Sequence, residues 1–242
     1  MEFNLADLSE SVVDAVPDRE AVVCGDRRLT YAELDARANR LAHHLLDAGI
    51  GPGDHVGLYL YNGTEYVEAM LACAKIRAVS INVNYRYVED ELRYLFDNAD
   101  LVAAVHGRAM CSRLAGARTP ELRHLIVVED GSDADSTVLG SEEYESTLAE
   151  SSPERGFAPR SGDDLFVIYT GGTTGMPRGV MWRQEDMFFT ALGGGNPMGD
   201  PIEKPEQLGP NAAAKGQVVQ FPVPPLIHGA AQLGVLIGLF WG

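Results

Sequence analysis

The sequence predicts an α/β protein built on a mainly parallel sheet flanked by helices. Three observations lead there. Between residues 55 and 128, apolar runs of strand length alternate with segments whose apolar residues recur at helical spacing. The runs are apolar at successive positions, as strands covered on both faces require. A hydrophobic share of 45% over 242 residues can supply the core that such a sheet needs.

In chain order, residues 21–29 read as two short strands about a Gly25-Asp26 turn. Thr30-Tyr31-Ala32-Glu33 has the spacing of a capping box, so a helix starts there. Leu34, Ala38, Leu41 and Leu45 form its apolar stripe, and Gly49 stops it. His55 to Leu60 is a strand, and Thr64 opens a helix through Val67, Met70, Leu71 and Ala74. Val79 to Val83 is a strand, Glu89 to Asn98 a helix, Leu101 to Val105 a strand, Arg108 to Ala117 a helix and Leu122 to Val128 a strand. Residues 129–163 then break the pattern with ten acidic and two basic side chains, half the net charge of −16. That stretch is expected to be a solvated connection, with a short helix over Glu142 to Glu150, and no chemistry is expected in it. It divides the chain into a first α/β subdomain, 1–160, and the start of a second, 161–242.

A net charge of −16 disfavours nucleic acid and anionic lipid, which need a basic face. Cys24, Cys73 and Cys111 are far apart and odd in number, so they encode neither a disulfide framework nor a zinc site and are expected to be buried small hydrophobes. MEFNLADLSE carries acids where a leader would carry Lys or Arg, so a cytoplasmic location is expected. No Asp, Glu, Lys or Arg appears from Gly216 to Gly242, but the unbroken apolar part, Leu233 to Trp241, is far shorter than the ~20 residues of a membrane span. A buried core helix, cut without a stop signal, is expected instead.

The most informative segment is Asp163 to Trp182. Leu165 to Tyr169 is a buried-strand run feeding directly into Thr170-Gly171-Gly172-Thr173-Thr174-Gly175-Met176-Pro177-Arg178-Gly179. Four glycines from Gly171 to Gly179 let successive N–H groups converge on an anion. Thr170, Thr173 and Thr174 add hydroxyl donors, and Arg178 adds a permanent cation with a fork of donors suited to phosphate. Neither GxxxxGK[ST] nor GxGxxG fits the segment. Glycine-rich turns commonly leave strands without any ligand. One that gathers three threonines and Pro-Arg-Gly reads as a phosphate cradle.

This segment resembles the phosphate-binding signature of the adenylate-forming enzymes, [YF]TSGTTGxPKG, with Gly171 in place of Ser and Arg178 in place of Lys. Leu29 to Leu34, Ala74 to Val79 and Phe221 to Gly229 resemble three further motifs of that superfamily, the last its substrate-pocket motif. Gly171-Gly172 with Val180 to Asp186 is similar to the branch that activates fatty-acid and steroid side-chain carboxylates. The resemblance implies the N-terminal, incomplete portion of the large adenylate-forming domain. It further implies ATP, Mg²⁺ and coenzyme A: the carboxylate attacks the α-phosphate, pyrophosphate leaves, and the thiol displaces AMP from the acyl-adenylate. Thr170, Gly171, Gly172, Thr173, Thr174, Gly175, Arg178 and Gly179 would bind the nucleotide, with Thr174 and Arg178 acting on the transferring phosphates. His228 would line the acyl pocket, although a lone His among prolines reads by itself as a core residue.

His43, His44, His55, His106 and His124 show no metal-ligand grouping in sequence and are expected to be structural. The superfamily's Tyr-Gly-x-Thr-Glu segment, ribose-binding Asp, hinge and C-terminal Lys are absent from this chain. A truncated acyl-CoA synthetase with little activity alone is therefore expected, completed by a C-terminal half in trans or associating as a homo-oligomer through its unfinished sheet. The competing reading is a non-catalytic ATP-binding module. A kinase-like phosphotransferase lacks any recognisable catalytic Asp motif and ranks last.

Overall fold

The computed structural model describes residues 1–171 and 175–242. A helix not expected from the sequence comes first: α1 (Leu5–Ala15) opens on Asn4, whose side chain accepts from the Ala6 N–H. Strands β1 (Glu20–Cys24) and β2 (Arg27–Thr30) form the expected hairpin, with Gly25 at a φ of +60°. The capping box of α2 (Tyr31–Asp47) is present in both directions, Glu33 N–H to Thr30 Oγ1 at 3.2 Å and Thr30 N–H to Glu33 Oε2 at 2.8 Å.

The alternation then follows the sequence: β3 (His55–Tyr59), α3 (Thr64–Lys75), β4 (Val79–Asn82), α4 (Glu89–Asn98), β5 (Leu101–Gly107), α5 (Cys111–Ala117), β6 (His124–Val128), β7 (Glu142–Glu143) and α6 (Tyr144–Glu150). The strands pair in parallel in the order β4-β3-β5-β6-β7. After α6 come β8 (Leu165–Thr170), β9 (Arg178–Arg183), α7 (Gln184–Ala191), α8 (Leu208–Ala214) and α9 (Gly229–Trp241). β8 and β9 are antiparallel, with Thr170 opposite Arg178 and Tyr169 opposite Gly179. The strands on either side of the phosphate-loop sequence thus pair with each other, and every residue of β9 is exposed. No helix among the described residues is long and apolar enough to cross a membrane.

The stretch 129–163 is more than a solvated connection. Its two basic residues reach a buried charge cluster whose centre is Lys75, 1% exposed, with Nζ 2.6 Å from Glu10 and 2.7 Å from Asp35. Arg160 holds Glu10 at 2.9 Å and Asp7 beside it, while Arg155 holds Asp35 at 2.9 Å and Asp14 at 2.8 Å. Burial would raise the Glu10 and Asp35 carboxyls, but Lys75, together with Arg160 at Glu10 and Arg155 at Asp35, keeps both below the ordinary carboxylate range. Tyr144, on α6, donates to the buried Glu68 at 2.7 Å. The acidic composition therefore hides three side chains, Tyr144, Arg155 and Arg160, that clamp α1, α2 and α3 together. Composition registers the average charge of a segment and is blind to its two exceptions. Cys73 and Cys111 are buried as expected, but Cys24 is exposed, because it stands at the hairpin tip.

Candidate functional site

The site is assembled by three side-chain amides, Asn82 and Gln232 buried and Asn62 exposed, none of which stands out as a motif. Asn82 ends β4 inside the apolar run Val79 to Val83 and is 4% exposed. Its amide nitrogen donates to the Tyr169 carbonyl at 2.8 Å and to the Ile227 carbonyl at 2.7 Å, while its oxygen accepts from the Tyr169 N–H at 2.7 Å. One side chain thereby performs the pairing a further ladder bond would perform, and joins β8 to the segment ahead of α9. Asn62, after β3, accepts from the Leu226 N–H at 2.8 Å. Gln232 donates to the Leu226 carbonyl at 2.8 Å and to Tyr66 at 3.0 Å. The signal that could have found Asn82 is its polarity amid four apolar or small neighbours, since a buried amide must be paired.

These bonds place two sequence-distant segments together at the carboxyl end of the parallel sheet. This is where open α/β sheets bind ligands. Thr170 and Gly171 emerge exposed from β8 just beyond the Asn82 clamp. Arg178, at the start of β9, is exposed opposite Thr170. A Cβ added at Gly175 would meet nothing within 4 Å, and one at Gly171 only the Tyr87 hydroxyl at 3.5 Å, so backbone approach by a ligand is open at both. Gly172, Thr173 and Thr174 lie outside the described residues.

Gly179 has a packing reason of its own. A Cβ there would meet the Tyr169 ring at 2.8 Å and Val167 Cγ1 at 3.2 Å, and that ring is held by a 3.0 Å hydrogen bond from its hydroxyl to Asn98. Gly179→Ala is expected to cost roughly 1–3 kcal/mol in urea unfolding, with β9 displaced. A melt indistinguishable from the parent would show that the ring is free to move aside.

His228 is exposed at the N-cap of α9, and Gly229 behind it packs on β8, where a Cβ would lie 2.7 Å from Ile168. Phe221, Pro222, Val223 and Leu226 of the same motif line a cavity of about 380 Å³ closed by β1 and α9. Neither His228 nor any described residue of 170–179 lines that cavity. The apolar volume and the glycine loop are thus neighbours through the 226–228 segment, yet separate. The second motif, Ala74 to Val79, is structural here. Lys75 sits in the charge cluster, and Arg77, at a φ of +63°, forks onto Asp164 at 2.8 and 3.0 Å below β8.

Of the histidines expected to be structural, three have local partners. His43 contacts the Glu154 carbonyl at 2.9 Å, His55 the Ala99 carbonyl at 2.5 Å and His106 Ser141 Oγ at 2.8 Å. Burial pushes the His106 imidazole down to about 4. His44 and His124 instead face each other.

Residues 9–242 match the family model described as AMP-binding enzyme. The chain is 51% identical over 247 residues to the medium/long-chain-fatty-acid–CoA/3-oxocholest-4-en-26-oate–CoA ligase of Mycobacterium marinum, covering 99% of this chain and 45% of that protein. It is 50% identical to the 3-oxocholest-4-en-26-oate–CoA ligase of Rhodococcus rhodochrous, covering 100% of this chain and 44% of that protein. Among solved structures, the inhibitor-bound N-terminal domain of FACL13 from Mycobacterium tuberculosis superposes with a TM-score of 0.77 at 24% identity, covering 100% of this chain and 56% of that one. The last shares the fold. The chain spans less than half the length of the curated relatives it matches.

Proposed function

This chain belongs to the AMP-binding enzyme family, and from that premise we propose that it is the N-terminal part of an ATP-dependent acyl-CoA ligase for a hydrophobic carboxylic acid. The observation that carries the reading is the Asn82 clamp, which ties the strand entering the glycine-threonine loop to the segment bearing His228. On this reading residues 1–160 form the first subdomain of the large domain, and 161–242 open the second.

The residues fit a triphosphate. Gly171 and Gly175 leave the backbone approachable, and Thr170 and Arg178 are exposed beside them, with donors open to an anion. Thr170, Thr173, Thr174, the glycine N–H groups and Arg178 would bind the β- and γ-phosphates, with Thr174 and Arg178 steadying charge that builds on departing pyrophosphate. Bound there, Mg²⁺ would neutralise phosphate charge. The loop from Tyr169 to Trp182 contains no Asp or Glu, so its own contribution to that ion is hydroxyl oxygen alone. His228 would stand beside the reacting carboxylate, and the apolar cavity behind Phe221 and Leu226 would take the acyl chain. Fatty-acid and steroid side-chain carboxylates are the substrate classes that the names of the two ligases support.

Calorimetry with ATP and Mg²⁺ tests the loop. Arg178→Ala is expected to weaken binding about tenfold or more, as loss of a charged hydrogen bond does. Gly171→Ser, which meets only an ordinary contact, is expected to strengthen it about two- to tenfold by returning a hydroxyl donor. The chain alone should catalyse no pyrophosphate exchange. Joined to the remaining part of the Mycobacterium marinum ligase, it should form acyl-CoA from long-chain fatty acids. Robust exchange by the chain alone, or no ATP binding, overturns the reading.

A further inference from the structure

At the opposite end of the sheet from the loop, three side chains from separate elements converge. His44 is in the last turn of α2, His124 is the first residue of β6 and Glu142 is the first of edge strand β7. Their separations in sequence are large, so only the fold makes them neighbours. His44 Nε2 lies 2.9 Å from His124 Nε2 and 3.5 Å from Glu142 Oε2, and the other oxygen of Glu142 lies 3.8 Å from His124 Nδ1. One ligand atom from each of the three can be chosen so that all lie within 4.8 Å of one another. The histidines are 17% and 14% exposed, and the carboxylate is 54% exposed.

We propose that His44, His124 and Glu142 form a binding site for a divalent transition metal of the Zn²⁺ class, distinct from the nucleotide loop. Two imidazoles and a carboxylate are donors that Zn²⁺ accepts, whereas Mg²⁺ prefers all-oxygen shells. Ligand bonds of about 2.0–2.1 Å put two tetrahedral ligands roughly 3.3 Å apart. The His44–Glu142 spacing already meets that value, the two imidazoles through their Nε2 atoms part by a few tenths of an ångström, and the exposed Glu142 carboxylate swings toward whichever His124 nitrogen binds, the three ligand atoms starting within 4.8 Å of one another. A fourth position opens into a cavity of about 430 Å³ that Asp47 also lines. Arg123 borders the same cavity, but its guanidinium donates to the Gly49 carbonyl at 3.3 Å, and two carboxylates oppose its charge. The helix carbonyls at the end of α2 add negative potential beside His44. A metal here would staple α2 to β6 and β7, at the sheet edge farthest from β4.

The test uses the whole chain after dialysis against a chelator. Co²⁺ is expected to give the intense visible bands of a tetrahedral site, which Zn²⁺ then abolishes. Calorimetry should show a single equivalent of Zn²⁺, and the melting temperature should rise with Zn²⁺ but not with Mg²⁺. His44→Ala, His124→Ala and Glu142→Gln should each weaken Zn²⁺ at least about tenfold. Glu142→Gln is isosteric and exposed, so it keeps the fold even if a histidine variant does not. His43→Ala, at a half-buried imidazole turned to the Glu154 carbonyl, and Cys24→Ser, at an exposed thiol, should leave affinity unchanged. Absence of Zn²⁺ binding, binding indifferent to all three ligand variants, or binding lost with Cys24→Ser overturns the site and makes the histidines a hydrogen-bonded pair only. Each readout is independent of ATP, so none of these results bears on the ligase reading.

Discussion

Asn82→Leu is expected to lower stability by about 3 kcal/mol and to abolish measurable ATP binding under conditions where the folded fraction stays high. Leucine has the same branched heavy-atom skeleton as asparagine but bulkier methyl ends, so no cavity opens and the loss comes chiefly from polarity. The substitution strands the Tyr169 N–H and the Tyr169 and Ile227 carbonyls in a site that is 4% exposed. Each buried polar group left unpaired costs roughly 1–3 kcal/mol, moderated by whatever water enters. The functional effect should exceed the energetic one. Strand β8 would lose its fastening to β4, and Thr170 and Gly171 would leave the position that the clamp imposes. Urea unfolding and ATP calorimetry on the same preparation separate the two effects. Full stability together with unchanged ATP affinity would show that the clamp positions nothing.

Lys75→Met is the second large effect, expected at about 3–5 kcal/mol at neutral pH. Methionine fills similar volume, but it leaves Glu10 and Asp35 buried with only Arg160 and Arg155 to offset them. The pH dependence distinguishes this from simple misfit. In the parent protein both carboxyls titrate below their ordinary values, so their contribution is present above roughly pH 4 and is lost as pH falls through the folded values. Without Lys75, burial pushes the same carboxyls up, so they destabilise the fold while ionised and cease to do so once protonated. The stability gap between parent and variant should therefore narrow steadily from pH 7 to below pH 4. A gap constant with pH would assign the loss to packing instead of charge.

Neither Asn82 nor the ion-pairing role of Lys75, which lies inside the Ala74 to Val79 motif, is legible in the sequence, and the reason is the same for both. Each acts on partners tens of residues away, and a single sequence records no such pairing. What was legible is local. The capping box at Thr30, the turn at Gly25, the helix over Glu89–Asn98 and the apolar strands from His55 to Val128 follow from neighbours a few positions apart. The helix Leu5–Ala15 rests on the same kind of local signal, Leu5, Leu8 and Val12 behind the cap Asn4. Strand β9 carried less: Arg178 to Arg183 is exposed throughout, so it shows no alternation.

The sequence by itself determined the alternating strands and helices, the chemistry of the glycine-threonine loop and the likeness to adenylate-forming enzymes, since these depend on residue types at short fixed spacing. Only the tertiary structure decided that the loop and His228 share one end of the sheet, that Arg155 and Arg160 close a charge cluster around Lys75, and that His44, His124 and Glu142 meet at the other end. The division is physical. Backbone propensity acts over one turn of helix or one strand pair, whereas buried amides, ion pairs and ligand sets come into existence when packing brings distant segments within hydrogen-bond reach.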